Sequence, residues 1–214
     1  MGVFLDATLV LLILSNLQLL GSSRLQVCIR TVAWQAVLLG LLPILSQWGS
    51  MTWRVVFLWL VTSGIKAGVL PWLLRRAVRE ANVQREVEPF LGFTTSLLAG
   101  VVLLGVALHL GSQLPLPTAT ASPFLVPVAL FTMMTGLLVI VSRVTAVSQV
   151  LGYLAMENGI YAFGMAFAVE EPLLVEMGVL LDVFAAVFIM GITIHHISRE
   201  FDHIDTDRLT TLRD

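Results

Sequence analysis

Charged side chains are scarce in this sequence. Of its 214 residues, 12% are charged and 57% are hydrophobic, whereas an ordinary soluble domain has about 25% charged and 45–50% apolar residues. The mean hydropathy is +0.93. Because so few charges cannot form the polar shell of a soluble protein, lipid must be the solvent for much of the surface. The composition therefore predicts an all-α integral membrane protein in contact with the lipid bilayer.

Cysteine is nearly absent, and several catalytic motifs are missing. A single cysteine, Cys28, excludes a disulfide framework and also excludes an iron–sulfur cluster or zinc–thiolate site built by this chain alone. The sequence contains no P-loop, no dinucleotide-binding glycine motif, no nucleophile elbow and no kinase motif. It also has no basic face for nucleic acid. We therefore expect no catalytic residue, no metal, no cofactor and no nucleic-acid partner for this chain.

Long apolar segments divide the chain into about seven transmembrane helices. Each is close to the ~20 residues that a helix needs to cross a bilayer, and they cover approximately 3–21, 32–48, 53–74, 93–111, 124–141, 147–169 and 173–194. This pattern predicts an N-terminal four-helix part (1–111) and a three-helix unit (124–197). Between them lies an uncharged extracytoplasmic linker (112–123), and a cytoplasmic tail (198–214) follows.

Arginines are concentrated in alternate connectors. They follow the first, third, fifth and seventh segments, whereas Arg54 is alone among the connectors on the opposite side. Basic connectors face the cytoplasm, so we expect the N-terminus outside and the C-terminus inside. Arg24, Arg30 and Gln35 are expected at the inner side of the first two segments, where lipid head groups or a cytoplasmic partner can contact them.

Glu157 lies about half-way along the sixth segment. An ionised side chain at the bilayer centre costs at least about 2.5–3.5 kcal/mol, so such a residue is by default a candidate functional site. Helical spacing predicts one polar stripe on this helix, made of Gln149, Tyr153, Glu157 and Tyr161 with Asn158 beside it. Gly152, Gly159 and Gly164 allow close approach of other helices. The functional interpretation is a proton-exchanging carboxylate, and the alternative is a protonated structural glutamate that hydrogen-bonds to a neighbouring helix.

Two further ionisable residues lie deep in apolar segments. Asp182 is near the middle of the seventh segment, and small residues on its side of the helix predict that it faces a packed interface. Lys66 lies in the third segment, about 12 Å from its inner end. It can extend toward the membrane surface, or it can pair with a carboxylate and change its proton affinity. We predict a proton relay formed by Glu157, Asp182 and Lys66, and a purely structural role is the alternative for each.

Several stretches resemble the membrane component E of hydrogenase-4-type complexes. They are GYLAMENGIY at 152–161, LLDVFAAVFIMG at 180–191, FDHIDTDRLTTL at 201–212 and the early SRL…CIR segment from Ser23. The resemblance implies a non-catalytic subunit of a group 4 membrane-bound nickel–iron hydrogenase or of a close relative of respiratory complex I. It also implies a location in the prokaryotic cytoplasmic (inner) membrane.

The resemblance also implies partners and residue roles. The last three segments are similar to the K-type subunit of complex I and to the C-type subunit of multisubunit antiporters. Glu157 matches the first buried glutamate of the K-type proton path, and Asp182 matches the second, with a side chain shorter by one methylene. The implied partners are antiporter-like membrane subunits, an H-type membrane subunit and a cytoplasmic hydrogenase-like arm that carries iron–sulfur clusters and a nickel–iron site.

Two other functions stay open at this point. The chain can be a purely structural scaffold that joins the antiporter-like subunits to the redox arm, with its buried polar groups serving only in packing. It can also be a stand-alone ion transporter. The sequence contains neither the inverted repeat nor the paired broken helices that such transporters have.

Overall fold

The structure is a computed structural model that describes residues 2–46, 63–80, 89–114, 122–167, 187–189 and 191. These residues are almost entirely helical. The α-helices are α1 (Gly2–Gly21), α2 (Leu25–Ser46), α3 (Leu70–Glu80), α4 (Phe93–Gln113), α5 (Leu125–Ser142) and α6 (Ala146–Phe167). A π-helical turn, Ile65–Val69, leads directly into α3. Most of the predicted seventh segment, including Asp182, lies outside the described residues.

Within the described ranges, four helices are long and apolar enough to cross a membrane. They are α1, α2 as far as Leu42, α4 and α5, and α6 has a similar length of 22 residues. The prediction of a helical membrane protein is supported to this extent. Seven spans, the direction of the termini and the division into domains stay predictions.

The boundaries of α1, α4, α5 and α6 agree with the predicted segments within two residues. The start of the second segment was predicted wrongly, because α2 begins at Leu25 rather than at residue 32. The first turns of α2 bury Leu25 and Ile29 and expose Arg30. An amphipathic turn of this kind lowers the average hydropathy of a window without interrupting the helix.

The third segment also extends further than predicted. Its helix continues to Glu80, although we expected a charged connector from residue 75. On α3 the arginines at 75, 76 and 79 are exposed, whereas Leu74, Ala77 and Val78 are buried. Because one face of α3 is charged and the other is apolar, the average hydropathy falls before the helix ends, and the predicted segment was too short.

The described helices alternate in direction, as the predicted spans do. Arg143, just after α5, donates a hydrogen bond from Nη2 to the carbonyl oxygen of Leu20 at the end of α1, at 2.7 Å. The Phe90 N–H, just before α4, donates to the carbonyl oxygen of Ser142 at 2.9 Å. The ends of α1 and α5 and the starts of α2, α4 and α6 therefore meet at one end of the bundle, which we call the arginine end.

Four helices form a closed ring, in which α1 contacts α2, α2 contacts α6, α6 contacts α5 and α5 contacts α1. The closest of these contacts is α5–α6, where glycines bring the two backbones together. A Cβ atom on Gly152 would lie 2.8 Å from the carbonyl oxygen of Gly136, and one on Gly159 would lie 2.5 Å from the amide nitrogen of Met133. The predicted close approach at Gly152 and Gly159 is thereby confirmed. The π turn and α3 pack against α2 and α6, and α4 packs against α1 and α5.

Two apolar clusters fill the bundle, and a polar layer separates them. The cluster at the arginine end includes Leu19, Leu20, Val32, Leu70, Leu74, Val139, Leu154 and Ala155. The opposite cluster includes Leu5, Leu9, Leu12, Leu39, Leu125, Ala129, Ala162 and Ala166. On every helix of the ring, buried polar residues lie between these two sets. We call them the polar layer, which consists of Asn16, Gln35, Thr132, Thr135, Glu157 and Asn158.

Candidate functional site

A buried ion pair lies at the level of the polar layer. The Lys66 Nζ atom lies 2.7 Å from Glu157 Oε1, and the two side chains are 10% and 3% exposed. A buried charge without a partner is strongly unfavourable, whereas a hydrogen-bonded pair offsets much of this cost. At this separation the Lys66 ammonium group donates a hydrogen bond to the carboxylate oxygen.

The lysine is held in an unusual part of its helix. The N–H of Leu70 donates to the carbonyl oxygen of Ile65, five residues earlier, and this defines the π turn that contains Lys66. Pro71 follows at the second position of α3. Proline has no N–H, and its ring crowds the carbonyl four residues earlier, so a wider turn just before it relieves the conflict. π turns of this kind occur often at functional sites.

Tyr161 provides a second contact for the lysine. The Lys66 Nζ atom lies 5.8 Å from the centre of the Tyr161 ring, within the range of a cation–π interaction. Because Glu157 and Tyr161 are four residues apart, they lie on the same face of α6 and contact Lys66 together. The structure thus joins two residues of the predicted stripe to the lysine of the third segment.

The other members of the predicted stripe lie elsewhere. Gln149 is exposed, and its Nε2 donates to the carbonyl oxygen of Arg143 at 3.3 Å, at the arginine end. Tyr153 is partly buried against the arginine-end cluster. Asn158 is buried beside Glu157 in the polar layer. The stripe therefore has a central part at the ion pair and an end that is tied to the connector between α5 and α6.

A hydrogen-bonded cluster occupies the opposite side of the ring. Asn16 Nδ2 donates to Thr132 Oγ1 at 2.8 Å, and Gln35 Nε2 donates to Asn16 Oδ1 at 2.8 Å and to Ser15 Oγ at 3.0 Å. Asn16 and Gln35 have no exposed surface. The prediction that Gln35 contacts head groups or a cytoplasmic partner is wrong, because the early start of α2 moves this residue into the middle of the helix. Two amides within apolar segments were the available sequence signal for this cluster.

Comparison with known proteins gives the family. No family model matches the chain, and no solved structure matches it. It is 34% identical over 206 residues to an uncharacterised protein of Mycobacterium tuberculosis, covering 95% of this chain and 93% of the relative. It is 31% identical over 150 residues to hydrogenase-4 component E of Escherichia coli, covering 69% of this chain and 68% of that protein. The chain belongs to the hydrogenase-4 component E family. The same identity and coverage relate it to the component E of Shigella flexneri.

This family membership confirms the resemblance to component E that the sequence motifs indicated. The likeness to complex I and antiporter subunits stays a prediction, as do the relay roles of Glu157, Lys66 and Asp182.

A buried arginine fixes the arginine end of the bundle. The Arg143 guanidinium bonds to the carbonyl of Leu20 and lies 4.3 Å from the centre of the Phe93 ring. Helix ends leave carbonyl groups without amide partners, and a cation near them is stabilising. Arg143 therefore joins α1, α4 and α5 as a structural residue, a role that its position in a predicted basic connector did not indicate.

Proposed function

We propose that this chain is a non-catalytic membrane subunit of a hydrogenase-like complex in the prokaryotic inner membrane. In this proposal Glu157 and Lys66 form part of a proton (or sodium) path that is coupled to redox chemistry on partner subunits. The observation that carries the proposal is the buried 2.7 Å contact between Lys66 and Glu157 at mid-helix depth. A soluble surface would not need such a pair, and a passive lipid-facing bundle would favour apolar residues there.

The two carboxylate oxygens of Glu157 have different surroundings. Oε1 bonds to Lys66, whereas Oε2 is buried with no hydrogen-bond partner among the described residues. A proton that arrives at Oε2 neutralises the carboxylate and weakens its attraction for the ammonium group. Departure of the proton restores the pair. In this proposal, movement of Lys66 toward or away from Glu157 is the means of coupling.

The π turn is a suitable moving element. A π turn and an α turn differ by the shift of one backbone hydrogen bond, so a small rearrangement of Ile65–Val69 changes the position of Lys66. Coupling requires an element with two discrete arrangements. In the proposal, redox chemistry on the partners shifts this turn, and the shift drives uptake or release of the proton at Glu157.

The proposal extends to the partners that the family relationship implies. These are antiporter-like membrane subunits, an H-type membrane subunit and a cytoplasmic arm that carries iron–sulfur clusters and a nickel–iron site. Hydrogenase-4 component E is, as its name states, a component of hydrogenase-4. Asp182 is proposed as the next carboxylate of the path.

A scaffold function is the second candidate, because the same ion pair joins the third segment to α6. The test is made in the assembled complex with the double variant Lys66→Met/Glu157→Gln, since the glutamine change alone leaves a buried ammonium without its carboxylate. Asp6→Asn is the matched control, because this carboxylate is exposed near the opposite end of α1. Assembly is followed by native gel electrophoresis, and proton uptake is measured in inverted membrane vesicles per redox turnover.

We expect the double variant to assemble and to retain redox turnover, but to lose coupled proton uptake, while the control behaves like the native complex. Retained uptake in the assembled double variant would remove the pair from the path. Loss of assembly in the double variant alone would favour the scaffold function.

A further inference from the structure

The polar layer contains more buried polar atoms than its direct hydrogen bonds use. We infer that bound water closes the layer into a continuous ring, and that this water carries protons to and from Glu157 along the layer, past the cluster of Asn16, Gln35 and Thr132. The inference rests on the proposed function of Glu157. It adds a route across α2 and α5 to the N-terminal helix α1.

The atoms concerned lie on three helices of the ring. Gln35 Oε1 on α2, Thr135 Oγ1 on α5, and Glu157 Oε2 and Asn158 Nδ2 on α6 are buried without a hydrogen-bond partner among the described residues. Buried polar side-chain atoms in native proteins are usually bonded to protein groups or to ordered water. Four unpartnered atoms at one level of one bundle therefore point to one common partner.

The four unpartnered atoms lie on the helices of two ring contacts that have no direct side-chain hydrogen bond among the described residues of the polar layer. The layer is bonded directly across α1–α2, by Gln35 and Asn16, and across α1–α5, by Asn16 and Thr132. The two remaining contacts of the ring are α2–α6 and α5–α6. The unpartnered atoms are on the helices that form these two contacts, at the level between the apolar clusters.

The direct bonds also fix which atom Gln35 presents. The Thr132 hydroxyl donates to the carbonyl oxygen of Val128 at 2.8 Å, so its oxygen accepts from Asn16 Nδ2. Asn16 must then present Oδ1 to Gln35, and Gln35 must donate Nε2. The Gln35 Oε1 atom is consequently left as an acceptor for the rest of the layer.

The set of atoms matches the needs of water. Gln35 Oε1 and Glu157 Oε2 accept, Asn158 Nδ2 donates, and the Thr135 hydroxyl does both. A buried water forms about three hydrogen bonds and requires two to four polar partners.

The chemical step is a proton transfer along this water. A proton reaches the water bonded to Thr135, an O–H bond of that water breaks, and a new O–H bond forms at Glu157 Oε2. The positive charge thus passes to the carboxylate, which becomes neutral. Gln35 and Asn158 do not themselves gain or lose protons, so they are positioning residues that orient the water.

Thr135→Val in the complete complex separates a hydrated layer from a dry one. The change keeps the shape and removes the hydroxyl. In a dry layer the loss of an unpartnered hydroxyl leaves assembly and coupling unchanged or improved. In a hydrated layer it interrupts the path. Thr31→Val is the matched control, because this buried hydroxyl already donates to the carbonyl oxygen of Val27 at 2.9 Å, outside the polar layer.

We expect Thr135→Val to retain redox turnover and to lose coupled proton uptake, with recovery in Thr135→Ser and no loss in Thr31→Val. A second readout is the infrared carboxylate band of Glu157, assigned by its disappearance in Lys66→Met/Glu157→Gln. Loss of a water hydrogen bond to Oε2 should shift this band in Thr135→Val. If that variant does not assemble, Asn158→Leu takes its place with the same two readouts.

Two results separate the inference from the proposed function. Native coupling and an unshifted band in Thr135→Val, together with lost uptake in Lys66→Met/Glu157→Gln, overturn the water path and leave the proposed function standing. Retained uptake in the double variant overturns the proposed function, and the water path with it.

Discussion

Removing one member of the Lys66–Glu157 pair leaves the other buried near the middle of the bundle. Breaking a buried pair in this way typically costs about 3–5 kcal/mol, which is roughly a hundred-and-fifty- to five-thousandfold change in the folding equilibrium. The 2.7 Å contact and the small exposed fractions of both side chains place this pair in the buried class. We therefore expect Lys66→Met and Glu157→Gln each to destabilise the protein strongly.

The double variant should be more stable than either single variant, because neither side chain then carries a charge. Replacing a buried pair by uncharged residues is often neutral or stabilising. We expect the sum of the two single losses to exceed the loss in the double variant by about 3 kcal/mol or more. The native complex, the two single variants and the double variant are solubilised in detergent and heated under the same conditions. Native gel electrophoresis then measures how much of each complex stays intact at each temperature.

The result also distinguishes the two candidate functions. If the pair only joins helices, the double variant either fails to assemble or, where it assembles, retains coupled proton uptake. If the pair is a relay, stability recovers and uptake does not. If the losses of stability in the two single variants add up in the double variant, the reasoning is refuted, because additivity means that Lys66 and Glu157 have no interaction energy.

Other perturbations test the packing around the site. Gly136→Ala should lower the yield of assembled protein, because the added Cβ meets the α6 backbone. Gly105→Ala should be neutral, because the Cβ added there has no described atom within 4 Å. Equal yields of the two variants would contradict the tight α5–α6 contact. Arg143→Ala should lower thermal stability without uncoupling the assembled complex, and uncoupling would argue against its structural role. Tyr161→Leu should cost about 0.5–2 kcal/mol more than Tyr161→Phe in thermal denaturation, since only phenylalanine keeps a ring near Lys66; equal losses would exclude the cation–π contact.

The sequence identified those residues of the site whose burial in an apolar segment is unfavourable in free energy. Glu157 and Lys66 are ionisable groups in segments that should be apolar, and an unpaired charge there is unfavourable however the helices pack. Glycines at helical spacing likewise indicated close contacts, and Gly152 and Gly159 lie in one. Gln35 was placed wrongly, because hydropathy averages could not detect the amphipathic first turns of α2.

The sequence by itself determined that the chain is a helical membrane protein, where most of its helices lie and which family it belongs to. These properties depend on composition, on local periodicity and on motifs, each of which is contained in a short stretch of chain. Only the tertiary structure decided that Lys66 meets Glu157, 91 residues away along the chain, and that the polar residues of four helices lie at one level between two apolar clusters. Helical spacing fixes which side chains share a face, but the partner of that face depends on how separate helices pack against each other, and that arrangement is set by the whole bundle.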